Sequence, residues 1–261
     1  MAAMGAARKV ALSLSGGGHL LPYHLGVGQK ILEASKSGSF PRIHSVSGSS
    51  AGAIAAVLIT RAPSLITKYA NRFIEERGNA LATLESYLVN SIVTAASSRL
   101  YICTTKCKDG SVHLFDADEL EHQELLACVR ASCTIPKTFH PYDVMVGGEL
   151  SYPDSDGIFI RGEYHGEGGI AGPAPPVPNC SDVIVVSPIS GFSNSHRISP
   201  KDVSFSIWRE WKCRGDFYVR PSIKNLKALR VASGLTTSKE LQSWYEQGMN
   251  DATDFLKNWD K

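Results

Sequence analysis

The fold is decided by one stretch, His44-Ser-Val-Ser-Gly-Ser-Ser-Ala-Gly52. Its first five residues are typical of a short buried strand, and the apolar run from Ala53 to Thr60 favours a buried helix. Between the two, Gly48-Ser-Ser-Ala-Gly52 matches the pattern G-x-S-x-G, which places a serine at the apex of a sharp strand-to-helix turn. Only a residue without a Cβ fits two positions before and two positions after that serine. The stretch therefore predicts a strand, a tight turn at Ser50 and a helix.

Working outward, we find the same strand–loop–helix order upstream. The run Lys9-Val-Ala-Leu-Ser-Leu14 predicts a buried strand, and Gly16-Gly-Gly18 after it predicts a loop. Pro22 places the start of the next helix near it, since proline is accepted in a first helical turn. Further strands are expected at 99–105, 111–115, 157–160, 163–165 and 182–186, with helices at 65–77, 81–98, 120–130 and from Pro200 to the end. Strands that alternate with helices predict the α/β class.

Composition excludes some classes of function. The chain has 261 residues and a formal net charge of +2, which gives no dense basic face for nucleic acid. No run approaches the roughly 20 apolar residues of a membrane span, so any contact with lipid is expected to be peripheral. The six cysteines of a long chain without a convincing signal peptide are interpreted as reduced residues of a cytoplasmic protein. Nothing in the sequence decides the oligomeric state.

Ser50 is the candidate nucleophile, because the required strand before it and helix after it are both predicted. The alternative is a turn of small residues that only lets a helix pack closely. The loop Gly16-Gly-Gly18 also has two interpretations. It lacks the last glycine of a dinucleotide fingerprint, where Leu21 stands, and it lacks the Gly-Lys-Ser/Thr of a P-loop. Consecutive glycine N–H groups can instead stabilise an oxyanion, since no side chain blocks them.

These motifs together resemble the patatin-like phospholipase family. The residues that carry the resemblance are Leu14-Ser-Gly-Gly-Gly18, Tyr23-His-Leu-Gly-Val27, Gly48-Ser-Ser-Ala-Gly52, Ala131-Ser-Cys-Thr-Ile-Pro136 and Gly168-Gly169. Their order and spacing also fit the family. The resemblance covers roughly residues 9–190, which we interpret as the patatin-like domain. Residues 191–261 are interpreted as a C-terminal helical extension packed on the same domain.

The resemblance implies a three-layer α/β/α fold with a central, mostly parallel sheet. It also implies hydrolysis of lipid acyl esters by a serine–aspartate dyad without a histidine, in the cytoplasm or at a membrane surface, and without a metal or other cofactor. The oxyanion hole is expected at Gly16, Gly17 and Gly18, with Ala51 after the nucleophile.

The acid of the dyad departs from the family pattern. The family has aspartate before two small residues, whereas this chain has Glu167-Gly168-Gly169 at the matching place. A second candidate is Asp156, which has the expected residue type but lies in an upstream turn and is followed by Gly157 and Ile158. We favour Glu167, because a dyad needs its acid on a positioned loop at the crevice. Its side chain is one methylene longer, about 1.5 Å, and must fold back to reach Ser50.

A classical serine–histidine–acid triad would require a histidine near Ser50. His24, His44, His140 and His165 are candidates by sequence, and His165 is of most interest because it adjoins Gly166-Glu167. Isolated histidines more often have structural roles. The stretch Trp208-Arg-Glu-Trp-Lys212, with Arg214, is interpreted as a solvated helix face rather than a membrane contact.

The sequence therefore predicts a lipid acyl hydrolase that cleaves carboxylic esters of glycerolipids or phospholipids, with Ser50 as nucleophile. The reduced cysteines and the resemblance imply a cytoplasmic location, with peripheral attachment at the surface of membranes or lipid droplets. The altered acid leaves a second hypothesis, a catalytically weak or inactive lipid-binding protein on the same fold. A nucleotide-binding enzyme is a third hypothesis that rests on the glycine loop alone.

Overall fold

A computed structural model describes residues 9–89, 98–135, 156–192, 196–202, 210–213 and 217–259. Eight strands form one sheet, and a separate pair of short strands, β9 and β10, forms a second. The strands are β1 Val10–Leu14, β2 Ile43–Gly48, β3 Arg99–Lys106, β4 Val112–Asp116, β5 Ile158–Ile160, β6 Glu163–Gly166, β7 Asp182–Val186, β8 His196–Ile198, β9 Trp211–Lys212 and β10 Tyr218–Val219.

Helices cover this sheet. They are α1 Leu21–Lys36, α2 Ala51–Arg61, α3 Ile66–Glu76, α4 Ala80–Val89, α5 His122–Ser132, the single turn α6 Gly168–Ala171, α7 Ile223–Ala232 and α8 Ser238–Leu256, with short 3-10 turns at Gly18–Leu20, Pro63–Leu65 and Ala117–Glu119. Leu12, Leu14 and Val46 are wholly buried in the core that the sheet shares with α1 and α2. Burial of these apolar faces is the main force that holds sheet and helices together.

The centre of the sheet is parallel, in the order β3-β2-β1-β7-β8. Leu14, the last residue of β1, pairs with Gly48, the last residue of β2. The two loops that follow these strands therefore leave the same edge side by side, as ligand-binding loops of open α/β sheets do. The predicted α/β class and the mostly parallel sheet are confirmed.

The strand β6 reaches that same edge from the opposite direction. Ile102 of β3 pairs with Gly48 of β2 and with Phe115 of β4, so β2 and β4 lie on opposite sides of β3. Thr105 pairs with β4 and also with Gly166 of β6, so β6 lies on the same side of β3 as β2, beyond the end of β2. Since β6 is antiparallel to β3, its last residues point toward the turn that follows β2.

The C-terminal residues differ in part from expectation. A helix from Pro200 to the end is wrong, because the chain forms β9 and β10 before α7 begins at Ile223. The sequence does not predict β9 and β10, because strands of two residues are too short to show an alternating pattern of apolar residues. Trp211 and Lys212 thus belong to a strand, and Trp208, Arg209 and Arg214 lie outside the described residues.

Other boundaries shift by little. Of the helix expected over 81–98, α4 is described from Ala80 to Val89, residues 90–97 lie outside the described residues, and Ser98 lies in a bend before β3. The helix expected over 65–77 is α3, which begins at Ile66 after a 3-10 turn at Pro63–Leu65. Such shifts are usual at helix ends.

The last helix, α8, packs along α1. A Cβ on Gly26 or on Gly248 would overlap backbone atoms of the facing helix, so both glycines permit a close approach. The hydroxyl of Tyr23 donates to the Asp251 carboxylate at 2.9 Å across this contact. Within the described residues no single helix is long and apolar enough to cross a membrane. The segments Ala51–Arg61 and Pro63–Glu76, which are bent by 115° at the break between them, are together long and apolar enough for a span by length and composition only.

Candidate active site

Ser50 occupies a strained turn. Its φ of 54° and ψ of −126° lie in a region that residues with a Cβ rarely adopt, and such strain concentrates at functional sites. A Cβ on Gly48 would overlap the Gly52 carbonyl, and a Cβ on Gly52 would overlap the carbonyl oxygen of Leu14. The glycines on both sides of Ser50 are thus required by close backbone contacts, as the G-x-S-x-G spacing predicts.

The glycine loop lies directly against this turn. The N–H of Ser49 donates to the carbonyl oxygen of Leu14 at 3.1 Å, which joins the ends of the two strands. A Cβ on Gly16 would lie 3.5 Å from the Cβ of Ser50. Gly16, Gly17 and Ser50 are partly exposed, and Gly18 is exposed, so the two loops border an opening to solvent.

Helix starts converge at this opening. Gly18 is the first residue of a 3-10 turn, and Ala51 is the first residue of α2. The N–H groups of a first turn have no carbonyl partner within their own helix, and the helix dipole makes that end electropositive. The arrangement suits the binding of a negatively charged oxygen beside Ser50.

Glu167 lies at the same place, immediately after β6. Its N–H donates to the Thr134 carbonyl at 3.0 Å, and its own carbonyl accepts from the Thr105 hydroxyl at 2.6 Å. The Ser50 hydroxyl is close enough to the Glu167 carboxylate to lower its pKa. Gly16 adjoins both side chains, since a Cβ there would be 3.5 Å from the Cβ of Ser50 and 4.0 Å from Glu167 Oε1.

Burial changes the acidity of this carboxyl group. Glu167 is 7% exposed, and its Oε2 has no hydrogen-bond partner in the described structure. Desolvation raises the pKa of Glu167 to about 7, and this rise is opposed by the hydrogen bond from the N–H of Gly169 and by the nearby Ser50 hydroxyl. A carboxyl group with this pKa can accept and return a proton near neutral pH.

The extra methylene of glutamate is taken up locally. Glu167 is the N-cap of α6, and its Oε1 accepts the N–H of Gly169 at 3.1 Å, so the side chain folds back over its own turn. A Cβ on Gly168 would overlap the Cys103 carbonyl and lie 2.8 Å from Ser132 Oγ. Gly168 and Gly169 thus let the acid-bearing turn approach both β3 and Ser50.

The other candidate acid lies elsewhere in the sheet. Asp156 precedes the edge strand β5, which is separated from β3 by β6. The first residue of β5, Ile158, pairs with His165 of β6, and Asp156 lies two residues before it. The structure thus brings Glu167, rather than Asp156, next to Ser50.

Two of the weighed histidines are buried. His165 contacts the Thr104 hydroxyl through Nδ1 at 3.0 Å and packs on His113 and Phe115, and burial lowers its pKa to about 4. His24 lies beneath the glycine loop, and burial lowers its pKa to about 3. Both rings are therefore neutral near pH 7. His140 lies outside the described residues.

One residue at the site was missed by sequence reasoning. The buried hydroxyl of Ser132, the last residue of α5, accepts the N–H of Ser50 at 2.8 Å and donates to the Cys103 carbonyl at 2.6 Å. This bridge ties the nucleophile turn to β3. In the sequence, the one indication of this role is that Ser132 belongs to Ala131-Ser-Cys-Thr-Ile-Pro136, a segment that carries the family resemblance. The resemblance alone assigns no role to any residue of that segment.

Comparison with known protein families identifies the family of this chain. The model of the family described as "Patatin-like phospholipase" matches residues 12–177. No curated protein sequence matches. Among solved structures, VipD from Legionella pneumophila is similar at 11% identity and a TM-score of 0.43, over 97% of this chain and 67% of the other. Because the family model spans more than half of the sequence, the chain belongs to the patatin-like phospholipase family.

Proposed function

We propose that this protein hydrolyses carboxylic esters of glycerolipids or phospholipids through a dyad of Ser50 and Glu167. Family membership supports lipid hydrolysis in general. The observation that supports the specific proposal is that a strained, partly exposed serine and a buried carboxylate are neighbours that both adjoin the same glycine, Gly16. A nucleophile paired with a base in this way is the usual signature of covalent catalysis.

The first half of the reaction acylates the enzyme. Ser50 Oγ attacks the ester carbonyl carbon while its proton passes to the Glu167 carboxylate. The carbonyl oxygen becomes an oxyanion, which the N–H groups of Gly17, Gly18 and Ala51 stabilise, while Gly16 adjoins both the nucleophile and the acid. The intermediate then collapses, the C–O bond to the alcohol breaks, and Glu167 returns the proton to the departing oxygen.

The second half repeats the same steps with water. Glu167 removes a proton from a water molecule while the water oxygen attacks the carbonyl carbon of the acyl-enzyme. The same N–H groups hold the oxyanion. When the intermediate collapses, Ser50 Oγ takes the proton back from Glu167, and the fatty acid leaves. Both halves need one group that alternates between base and acid, which suits a carboxyl group with a pKa of about 7.

This acidity predicts the pH dependence. The base must be ionised to accept the proton of Ser50, so kcat/KM for a soluble acyl ester should fall as pH drops through about 7. An ordinary glutamate would place this loss near pH 4. The measurement is a pH–rate profile of kcat/KM, with protein stability followed across the same range. An acidic limb with a midpoint near 4 would show that Glu167 is not the titrating base.

The Ser132 bridge gives a further prediction. Ser132→Ala leaves the N–H of Ser50 and the carbonyl of Cys103 without their shared partner. The nucleophile turn loses its anchor, and a displacement of about 1 Å can cost on the order of a hundredfold in rate. We expect a kcat at least about tenfold lower for a soluble acyl ester, with little change in KM.

Ser190→Ala is the matched control. Its buried hydroxyl donates to the Pro200 carbonyl at 2.6 Å, away from the candidate site. It should cost similar thermal stability, about 1–3 kcal/mol for an orphaned buried group, without lowering kcat. Equal losses of kcat in both variants would mean that Ser132 acts only through stability.

A second candidate function is lipid binding with weak or no turnover. The observation that favours it is the glutamate where the family pattern has aspartate. In that case wild-type protein would bind lipid but release no fatty acid above the level of a Ser50→Ala variant.

A further inference from the structure

The helix α7 exposes large apolar side chains. Ile223 is 74% exposed, Leu226 68%, Leu229 49% and Leu235, in the turn after the helix, 67%. A spacing of three residues places Ile223, Leu226 and Leu229 along one side of the helix. Isolated exposed leucines are common, but a continuous row marks an interaction surface. We call these four residues the α7 face.

The orientation of α7 is fixed by its buried side. Ala228 and Val231 are buried, and so is Asn225. The Asn225 amide donates to the carbonyls of Ser190 and Arg220 and accepts the N–H of Ser190, all within 2.8 Å. Rotation that buried Leu226 would break these three bonds. The helix is thus held with its large aliphatic residues facing solvent.

Positive charge accompanies the α7 face. The helix contains Lys224, Lys227 and Arg230 and no acidic residue. Arg230 is paired with Glu240 of α8, and Lys224 donates to the Lys201 carbonyl. An exposed apolar row flanked by lysines is the pattern of a helix that lies at an anionic lipid surface.

The end of α7 lies against the glycine loop. A Cβ on Gly18 would overlap the carbonyl oxygen of Ala232, the last residue of α7. A Cβ on Gly234, in the following turn, would lie 3.2 Å from the ring of His19. The end of α7 thus contacts the glycine loop that borders Ser50.

From the exposed aliphatic row, its lysines and its contact with the glycine loop, we infer that the α7 face docks the protein on an anionic lipid bilayer. Docking there places the opening over Ser50 next to the surface that holds the acyl chains. The inference rests on the proposed lipid hydrolysis, because it names the surface from which that site takes its substrate.

The experiment measures co-sedimentation of the Ser50→Ala protein with lipid vesicles. The vesicles consist of phosphatidylcholine alone, or of phosphatidylcholine with about 30 mol% phosphatidylserine to give an anionic surface. We expect binding to the anionic vesicles, weakened at least about tenfold by adding Leu226→Asn with Leu229→Asn, because both side chains leave the interface. Lys227→Glu should weaken binding to anionic vesicles and change binding to phosphatidylcholine little. Phe159→Asn, at an exposed aromatic on β5, is the control and should bind as before.

The outcomes separate this inference from the proposed function. When the α7 substitutions are made in the protein that retains Ser50, it should hydrolyse a soluble short-chain ester at the wild-type rate, since these substitutions leave the site intact. Normal soluble hydrolysis with vesicle binding that is absent, or unaffected by the α7 variants, would overturn the docking surface alone. So would a self-association of wild-type protein that the α7 variants abolish while vesicle binding persists. No soluble hydrolysis by the wild type would instead overturn the proposed function.

Discussion

Ser50→Ala is expected to reduce hydrolysis of a soluble acyl ester to the rate measured without protein. Alanine has no oxygen to form the acyl-enzyme, and no other group can replace the covalent step at the apex of this turn. The loss should appear in kcat, by a factor of at least about 10³. The measurement is initial-rate release of a chromogenic alcohol.

The control for this prediction is stability. Alanine at position 50 keeps the Cβ and the N–H that binds Ser132, so the turn and its strain are unchanged. Thermal unfolding should therefore shift little. Turnover by Ser50→Ala at more than a few per cent of the wild-type rate would remove Ser50 from the mechanism.

Glu167→Gln is expected to lower kcat by roughly 10²–10⁴-fold, the usual contribution of a general base. Glutamine has the same shape, and its carbonyl oxygen can still accept the N–H of Gly169, but it cannot take the proton of Ser50. Rates should be measured at pH 8, where the carboxylate of the wild type is ionised.

Stability distinguishes lost chemistry from lost folding. The raised pKa means that the folded protein holds the Glu167 proton more tightly than the unfolded chain, so stability falls as pH rises from about 4.5 to 7. Glutamine removes this penalty. The variant should be at least as stable as wild type at pH 8, while retaining little activity.

Asp156→Asn is the companion variant for the other candidate acid. Asp156 precedes the edge strand β5, which β6 separates from β3, so the Asp156→Asn substitution should leave kcat nearly unchanged. A large loss in Asp156→Asn, with an active Glu167→Gln, would reverse the assignment.

The turn at Ser50 and the loop at Gly16 could be predicted because their constraints are local. The backbone conformation at Ser50 demands glycine at positions 48 and 52, so the requirement is written in adjacent residues. The parallel pairing of β1 and β2 then follows from two strand–loop–helix units in succession. Both signals need no knowledge of distant contacts.

The position of the acid could not be derived in the same way. Glu167 lies near Ser50 because β6 pairs with β3 beyond the end of β2, and that register depends on contacts between residues 54 to 61 positions apart. Ser132 was missed for the same reason, since its hydrogen bond to Ser50 joins residues 82 positions apart. The aliphatic row of α7 shows a related limit: periodicity marks an apolar side but does not reveal whether that side faces the core or solvent.

The most direct test of the Ser50–Glu167 dyad is covalent labelling with a fluorophosphonate, followed by identification of the modified residue by mass spectrometry. Phosphonylation requires a serine activated by a neighbouring base. We predict stoichiometric labelling of Ser50 in the folded protein at pH 8, much slower labelling in Glu167→Gln, and none after denaturation. An unlabelled Ser50 in a folded protein, or equal labelling rates with and without the Glu167 carboxylate, would contradict the dyad.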